Sequence, residues 1–330
     1  MKLKKICAVI CCAVIMLFGC SDPAVWDGNV AVVGDVYLSE AEYEDWYEQM
    51  KLFDTIMPDT ICSMLGVEGD LRPESGVLAF ARYRVITQLY GQADEISARA
   101  FLRSLDLKES QENMDCAIVY CTIDACRKEL IDGVEVTQSM ARDWYNEQVD
   151  VQSTLAKNDL ASAQRAYVQG DYEVTVYVPE GLKIVQALGV SCAQHDRADA
   201  FSVSQSAWRK LLYGEGFDAM YEDYNELDAC ANADGTQKTF CIFEGWDAEP
   251  AIALCSENLD QPGQMCGPTL YGDAYWIVKL VSIPASGVID FELVEQQCMA
   301  AAQKRQMRLD WYDALQAMQD EAGVRFAPYR

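Results

Sequence analysis

Between Asn29 and Leu38 two short apolar runs, Val-Ala-Val-Val and Val-Tyr-Leu, flank Gly34-Asp35, which predicts two short strands joined by a tight turn. Ser39 then opens Ser-Glu-Ala-Glu42, a capping box in which the hydroxyl accepts the third amide and Glu42 reaches back. The helix it starts carries Tyr43, Trp46, Tyr47, Met50, Phe53 and Met57 on one stripe, and Pro58 ends it. Helical periodicity recurs from Leu78 to Leu89 and from Gln111 to Leu130. It restarts at Val136-Thr137, with Met140, Trp144 and Tyr145 on one face, and continues through the polar, Ala-rich stretch from Lys157 to Gln169.

Beyond residue 170 the period changes. Tyr172 to Val178 and Leu182 to Val190 read as strands about a Pro179-Glu180-Gly181 turn. Helices are predicted at Gln205 to Tyr213, at Phe217 to Tyr224 and near Ala248 to Cys255. A polar loop runs from Asp228 to Lys238, followed by a strand at Phe240 to Phe243. Pro262 to Pro268 reads as a turn and Ala274 to Val281 as the last strand. Asp290 caps a long amphipathic helix through Phe291, Val294, Cys298, Met307, Trp311, Leu315 and Met318. A compact α+β domain fits within this half, and the final helix needs a helical partner for its stripe.

The amino terminus reads as an address. Met1 to Lys5 is basic, Ile6 to Phe18 is apolar, and Leu17-Phe18-Gly19-Cys20 resembles a bacterial lipobox. The expected outcome is diacylation (palmitate-type) at Cys20, cleavage before it, and anchoring at the extracytoplasmic face of the cell membrane. No other stretch has the length of a bilayer span.

Composition narrows the chemistry. The 330 residues hold 26 Lys+Arg against 52 Asp+Glu, a formal charge of −26, which repels phosphate backbones and argues against nucleic-acid partners. Solubility beside a membrane is the better reading of that charge; the alternative is long-range attraction of cationic partners, such as basic unfolded exported chains or calcium. The chain has one histidine, His195, so a zinc site with two imidazoles is excluded. No metal or cofactor is expected. Cys192 and His195 are close in sequence, but in a polar stretch with Asp196 and Asp199 a surface loop is the better reading than a nucleophile pair. Nothing among the many carboxylates singles out a glycosidase pair. Fourteen cysteines, ten of them beyond Cys20, suggest mixed use as disulfides and buried thiols in an exported chain.

The order of these features resembles extracytoplasmic foldases of the PrsA and SurA type, which carry a parvulin-type (PpiC-like) peptidyl-prolyl isomerase domain. The residues from Val30 to Ser39 are similar to that family's opening hairpin and cap, and those from Val136 to Tyr145 to its later helical restart. Phe217 to Tyr224 and Pro262 to Lys279 resemble parts of the parvulin domain. The resemblance implies an α+β fold: a SurA-N-like helical chaperone domain built from both ends of the chain, with an inserted parvulin-like domain. The implied division is a signal peptide at 1–19, a tether at 20–28, a helical domain at 29–170, a parvulin-like domain at 171–285 and a C-terminal helix at 286–330.

The family's two active-site histidines would fall at Ala187 and Trp276, so the implied isomerase is degenerate. The implied partners are unfolded exported polypeptides, bound at Phe217, Met220, Tyr224, Tyr275 and Trp276 and at Trp46, Tyr47, Trp144 and Trp311 of the helical core. A homodimer through the helical region is compatible with the sequence. Two other readings are an active isomerase with a rebuilt centre and a non-catalytic solute- or protein-binding lipoprotein. The long helical first half argues against the alternating lobes of a solute-binding protein.

Overall fold

The computed structural model describes residues 26–57, 59–67, 73–131 and 133–328. The leader, the lipobox with Cys20 and the helix-ending Pro58 lie outside the described residues. Contacts divide the chain into two units, Met1–Val134 with Gln306–Arg330, and Glu135–Arg305.

In the first unit β1 (Asn29–Val33) and β2 (Val36–Ser39) form an antiparallel hairpin. Gly34, at φ +60°, takes the first place of its two-residue turn, where L side chains are strained. Ser39 then caps α1 (Glu40–Ile56), and both bonds of the capping box form: the Glu42 amide donates to Ser39 Oγ, and the Ser39 amide donates to Glu42 Oε2. These bonds hold the Glu42 carboxyl below its ordinary range, with the Arg84 charge adding to the effect. The inward stripe of α1 buries Trp46, Met50 and Phe53.

Helices α2 (Ile61–Met64), α3 (Pro73–Tyr90), α4 (Glu95–Ser104) and α5 (Gln111–Ile131) complete the amino-terminal part of this unit. Its core also takes Trp311, Leu315 and Met318 from the far end of the chain.

The closure is polar as well as apolar. Arg82 is 7 % exposed, and its guanidinium donates to the carbonyls of Leu65 and Gly66, each at 2.8 Å, and to the side chains of Gln316 and Gln319. Desolvation lowers its pKa from the ordinary arginine value. Trp311 Nε1 donates to the adjacent Met64 carbonyl at 2.6 Å. Gly66, at φ +65°, has no room for a Cβ, which would meet Tyr312 Cδ1 at 2.9 Å and Leu315 Cδ1 at 3.0 Å.

The second unit begins with α6 (Gln138–Asn158), capped by Thr137, and α7 (Leu160–Gln169), capped by Asp159 and ended by Gly170 in the left-handed conformation. The predicted strand from Tyr172 is shortened to β3 (Tyr177–Val178). The buried amide of Gln152 explains this: it donates to the Val174 carbonyl and accepts from the amides of Val176 and Tyr177, so a side chain takes the place of a partner strand.

A four-stranded antiparallel sheet follows, built from β4 (Lys183–Ser191), β5 (Thr239–Ile242), β6 (Met265–Tyr271) and β7 (Ala274–Ser282) in the order β5-β4-β7-β6. Helices α8 (Arg197–Leu212) and α9 (Phe217–Tyr224) lie between β4 and β5 in the chain, and α10 (Pro250–Ser256) between β5 and β6. β6 falls where a turn is predicted, because Gly267 and Pro268 occupy a bulge; a Cβ on Gly267 would meet the Trp276 carbonyl at 2.5 Å.

The two-residue β8 (Gly287–Val288) pairs with β3. The chain then enters α11 (Phe291–Glu321), and β9 (Arg325–Phe326) pairs with β1 in the first unit.

The architecture is mixed helix and sheet, as expected, but its internal division differs from the expected one. The residues of α6 and α7 belong to the second unit rather than to a helical domain ending at residue 170. The reason is a separate core in which Trp144 and Tyr145 bury against Phe291, Val294 and Cys298 from the first half of α11. The final helix therefore serves both units, the second up to Arg305 and the first from Gln306. The ten cysteines beyond Cys20 are all free thiols in this structure, not a mixture of thiols and disulfides. Burial pushes Cys116 up to about 11 and Cys126 and Cys230 up to about 12, so these behave as small hydrophobes.

Two stability outcomes are expected. Ser39→Ala should cost about 1 kcal/mol at pH 7 in urea unfolding, the usual worth of an N-cap. Because the folded Glu42 carboxyl lies below its unfolded value, its stabilisation is present above the ordinary carboxylate range and lost as pH falls through the folded value. The Ser39→Ala penalty should therefore shrink at pH 3. Arg82→Leu should cost about 3 kcal/mol, because it leaves the buried Leu65 carbonyl and the partly buried Gly66 carbonyl without this donor. Arg82→Lys should recover only part of that, since one ammonium lacks the planar fork that reaches all four acceptors.

Candidate functional site

The β4–β7 pairing sets Ala187 opposite Val278 and Gly189 opposite Trp276. Opposed residues share a face, so Ala187 and Trp276 lie on one face as diagonal neighbours. Ala187 is fully buried. Trp276 is half-buried, and its indole N–H donates to the Tyr271 carbonyl at 3.3 Å. A methyl group and an already bonded indole therefore stand where the resemblance implies two imidazoles.

Phe217 and Met220, expected to line a cleft here, are core residues only 4 % and 3 % exposed. The structure gathers them with Ala187 in one apolar cluster, against which Tyr224 and Trp276 pack. Lys210 Nζ sits over the Tyr224 ring at 5.0 Å. Tyr275 follows the strand alternation to the other face of β7 from Trp276 and packs on exposed Phe201, ring centroids 5.3 Å apart.

The one histidine belongs to a clasp at the end of β4. His195 Nε2 pairs with Glu226 Oε1 at 2.6 Å, and Glu226 Oε2 accepts the Ser191 amide at 2.8 Å. The Glu226 amide donates to the Gly189 carbonyl, and Asn225 Oδ1 accepts the Gly189 amide. β5 pairs only with Lys183 to Gln186, so residues 225–227 cover the edge of β4 that β5 leaves unpaired. The sequence gives no sign of this clasp, because its partners are 31 positions apart.

The first unit holds a cleft of about 550 Å³, lined from α1, α3 and α5. Trp46, Phe80, Tyr83 and Leu52 make its apolar surface, with Trp46 5.3 Å from Phe80 and 6.4 Å from Tyr83 between ring centroids. The α1 period explains the arrangement: Trp46 points inward with Met50 and Phe53, while Glu42, Asp45 and Glu48 flank it at the rim. Glu112 and Asp115 of α5 add two further carboxylates, and Arg84 of α3 supplies a single guanidinium. Burial raises the Tyr83 phenol above its ordinary value.

Of the candidate residues in the helical core, Trp46 lines this cleft. Tyr47 is half-buried against Tyr43, with Lys51 Nζ 4.7 Å above its ring. Trp311 is sealed in the first unit's core and Trp144 in the second unit, so neither offers a surface for another chain. The carboxylates at the rim, Arg84, Phe80 and Tyr83 were not singled out by sequence reasoning. The Glu-rich face of α1 beside a tryptophan was the available signal.

Among the described residues, no cluster of three or more His, Cys, Asp or Glu side chains could hold a metal ion, and no helix is long and apolar enough to cross a membrane.

No protein-family model matches this chain, and no curated protein matches it in sequence. Solved structures of PrsA foldases are similar to it over most of its length. PrsA from Bacillus subtilis is 10% identical with a TM-score of 0.29, covering 90% of this chain and 92% of that one. Foldase protein PrsA from Lactococcus lactis gives the same identity and TM-score, covering 90% of this chain and 94% of its own. The peptidylprolyl isomerase PrsA from Bacillus cereus is 13% identical with a TM-score of 0.24, covering 89% of this chain and 90% of its own.

Proposed function

We propose that this chain is an extracytoplasmic chaperone of the foldase class. It is held at the membrane by a diacylglyceryl group on Cys20 and binds unfolded stretches of exported polypeptides, with weak or absent prolyl isomerase turnover. The observation that carries the reading is the aromatic cleft on the helical unit, where Trp46, Phe80, Tyr83 and Leu52 line a space of about 550 Å³. A cavity of that size admits one or two side chains. Each fully buried aliphatic or aromatic group gains roughly 1.5–3 kcal/mol, which suits binding that must also release.

The second unit supports the other half of the reading. Rotation about an X-Pro bond faces about 18–20 kcal/mol. An isomerase lowers it by holding the twisted amide better than either planar form. Ala187 has no polar group to offer, and the Trp276 N–H is occupied by Tyr271. Phe217 and Met220, buried in the core, leave no apolar cradle of their own.

The test is NMR exchange spectroscopy on X-Pro peptides with the chain lacking residues 1–20. Binding is expected as peptide shift changes without accelerated cis/trans exchange. Leu52→Asp, at the surface of the cleft, should weaken binding at least tenfold, and Trp276→Ala should leave it unchanged. Accelerated exchange that disappears in Trp276→Ala would instead make the sheet unit a working isomerase with a rebuilt centre.

A further inference from the structure

We infer that the cleft on the first unit selects segments in which an apolar side chain is flanked by lysine or arginine. This rests on the reading of the cleft as a site for unfolded chain and specifies its ligand.

Three observations converge on that chemistry. The first is charge: five carboxylates and one guanidinium line the same space. Three of the carboxylates are engaged, Glu42 with Ser39, Glu48 with Lys51 at 2.7 Å, and Asp115 with Gln111 at 2.7 Å. Asp45 on α1 and Glu112 on α5 are exposed and have no ion-pair partner among the described residues. Two free carboxylates on two different helices therefore border one aromatic surface.

The second is a pair of unmet donors. Trp46 is 6 % exposed, and its indole N–H has no acceptor among the described residues; nor has Nε of Arg84. Only one other buried side-chain nitrogen among the described residues shares that condition, so two of the three belong to residues that line this cleft; both are closed to solvent, and a ligand reaches them only where the cleft walls shift. A buried donor without an acceptor is costly and calls for one. The third is the apolar surface itself, formed by Trp46, Phe80, Tyr83 and Leu52.

Together these exclude simpler ligands. An anion would satisfy the donors but be repelled by the carboxylates. A metal cation or a polyamine would satisfy the carboxylates but leave both N–H groups unmet and the aromatic surface uncovered. A polypeptide brings neutral carbonyl acceptors and apolar side chains, and one with basic residues brings the cations as well. An acidic segment is rejected by like charge, which gives the cleft selectivity as well as grip.

The experiment uses three peptides with the same apolar centre, flanked by lysine, serine or glutamate. Affinity is measured by isothermal titration calorimetry at low and high salt. The lysine-flanked peptide is expected to bind at least tenfold tighter than the glutamate-flanked one, and the difference should narrow at high salt. Asp45→Asn with Glu112→Gln should cut the lysine preference by about threefold per carboxylate, the scale of exposed ion pairs. Asp218→Asn with Glu222→Gln removes as many charges from exposed positions on α9 and should leave the preference intact.

If both double variants reduce the preference equally, it arises from net charge and the inference is overturned. If the three peptides bind alike and Leu52→Asp weakens them all, the cleft binds unfolded chain without selecting charge, and only this inference fails. If no peptide binds, both it and the proposed function fall.

Discussion

The guanidinium of Arg82 is the constraint on which the first unit turns. It is buried, carries a full charge and finds its four acceptors in neutral groups: two carbonyls at residues 65 and 66 and two glutamine side chains of α11. Removing such a charge from water is expensive, and the arrangement survives only because every acceptor is in place at once. That requirement ties α3 to a segment more than 230 positions later in the chain. The neighbouring Trp311 bond to Met64 and the missing side chain of Gly66 serve the same junction. Phe80, Tyr83 and Arg84 lie on the same helix as Arg82, so the register that fixes the junction also sets what α3 presents to the cleft.

How much of this was legible depended on how local each interaction is. The box of Ser39 and Glu42 spans three residues and is plain in the sequence, and so is the short helix Phe217–Tyr224, although Tyr221 rather than Tyr224 joins Phe217 and Met220 as its third buried position. Gln152 was not, because a mid-helix glutamine looks like surface until a passing backbone uses its amide. Strand β6 was hidden by Gly267 and Pro268, which signal a turn unless the neighbouring strand is known to need a bulge there. Arg82 falls in the same class: a cation in an apolar helix reads as an outward charge, and two of its acceptors come from a helix at the other end of the chain.

The candidate site divides in the same way. Trp46 was legible as an aromatic on a stripe, but its role depends on Glu112 and Asp115 of α5 and on Arg84 of α3, which no pattern within α1 reveals. The sheet unit shows the converse. The resemblance implies binding roles for Phe217 and Met220, yet their helical spacing is what buries them, and periodicity alone cannot separate a core face from a groove. Trp144 and Trp311 repeat the lesson, since each sits in the core of its own unit.

Charge and apolar surface play separate parts in a cleft of this kind. The formal −26 of the whole chain raises the local concentration of basic segments at distances beyond contact, and salt weakens that attraction. It cannot hold them, because exposed ion pairs contribute little each. Dwell time must come from what Trp46, Phe80 and Tyr83 bury. A segment that begins to fold withdraws both its apolar side chains and its free carbonyls into its own structure. In the proposed function, the interactions that retain an unfolded chain are thus the ones folding removes, and release needs no catalytic step in the second unit.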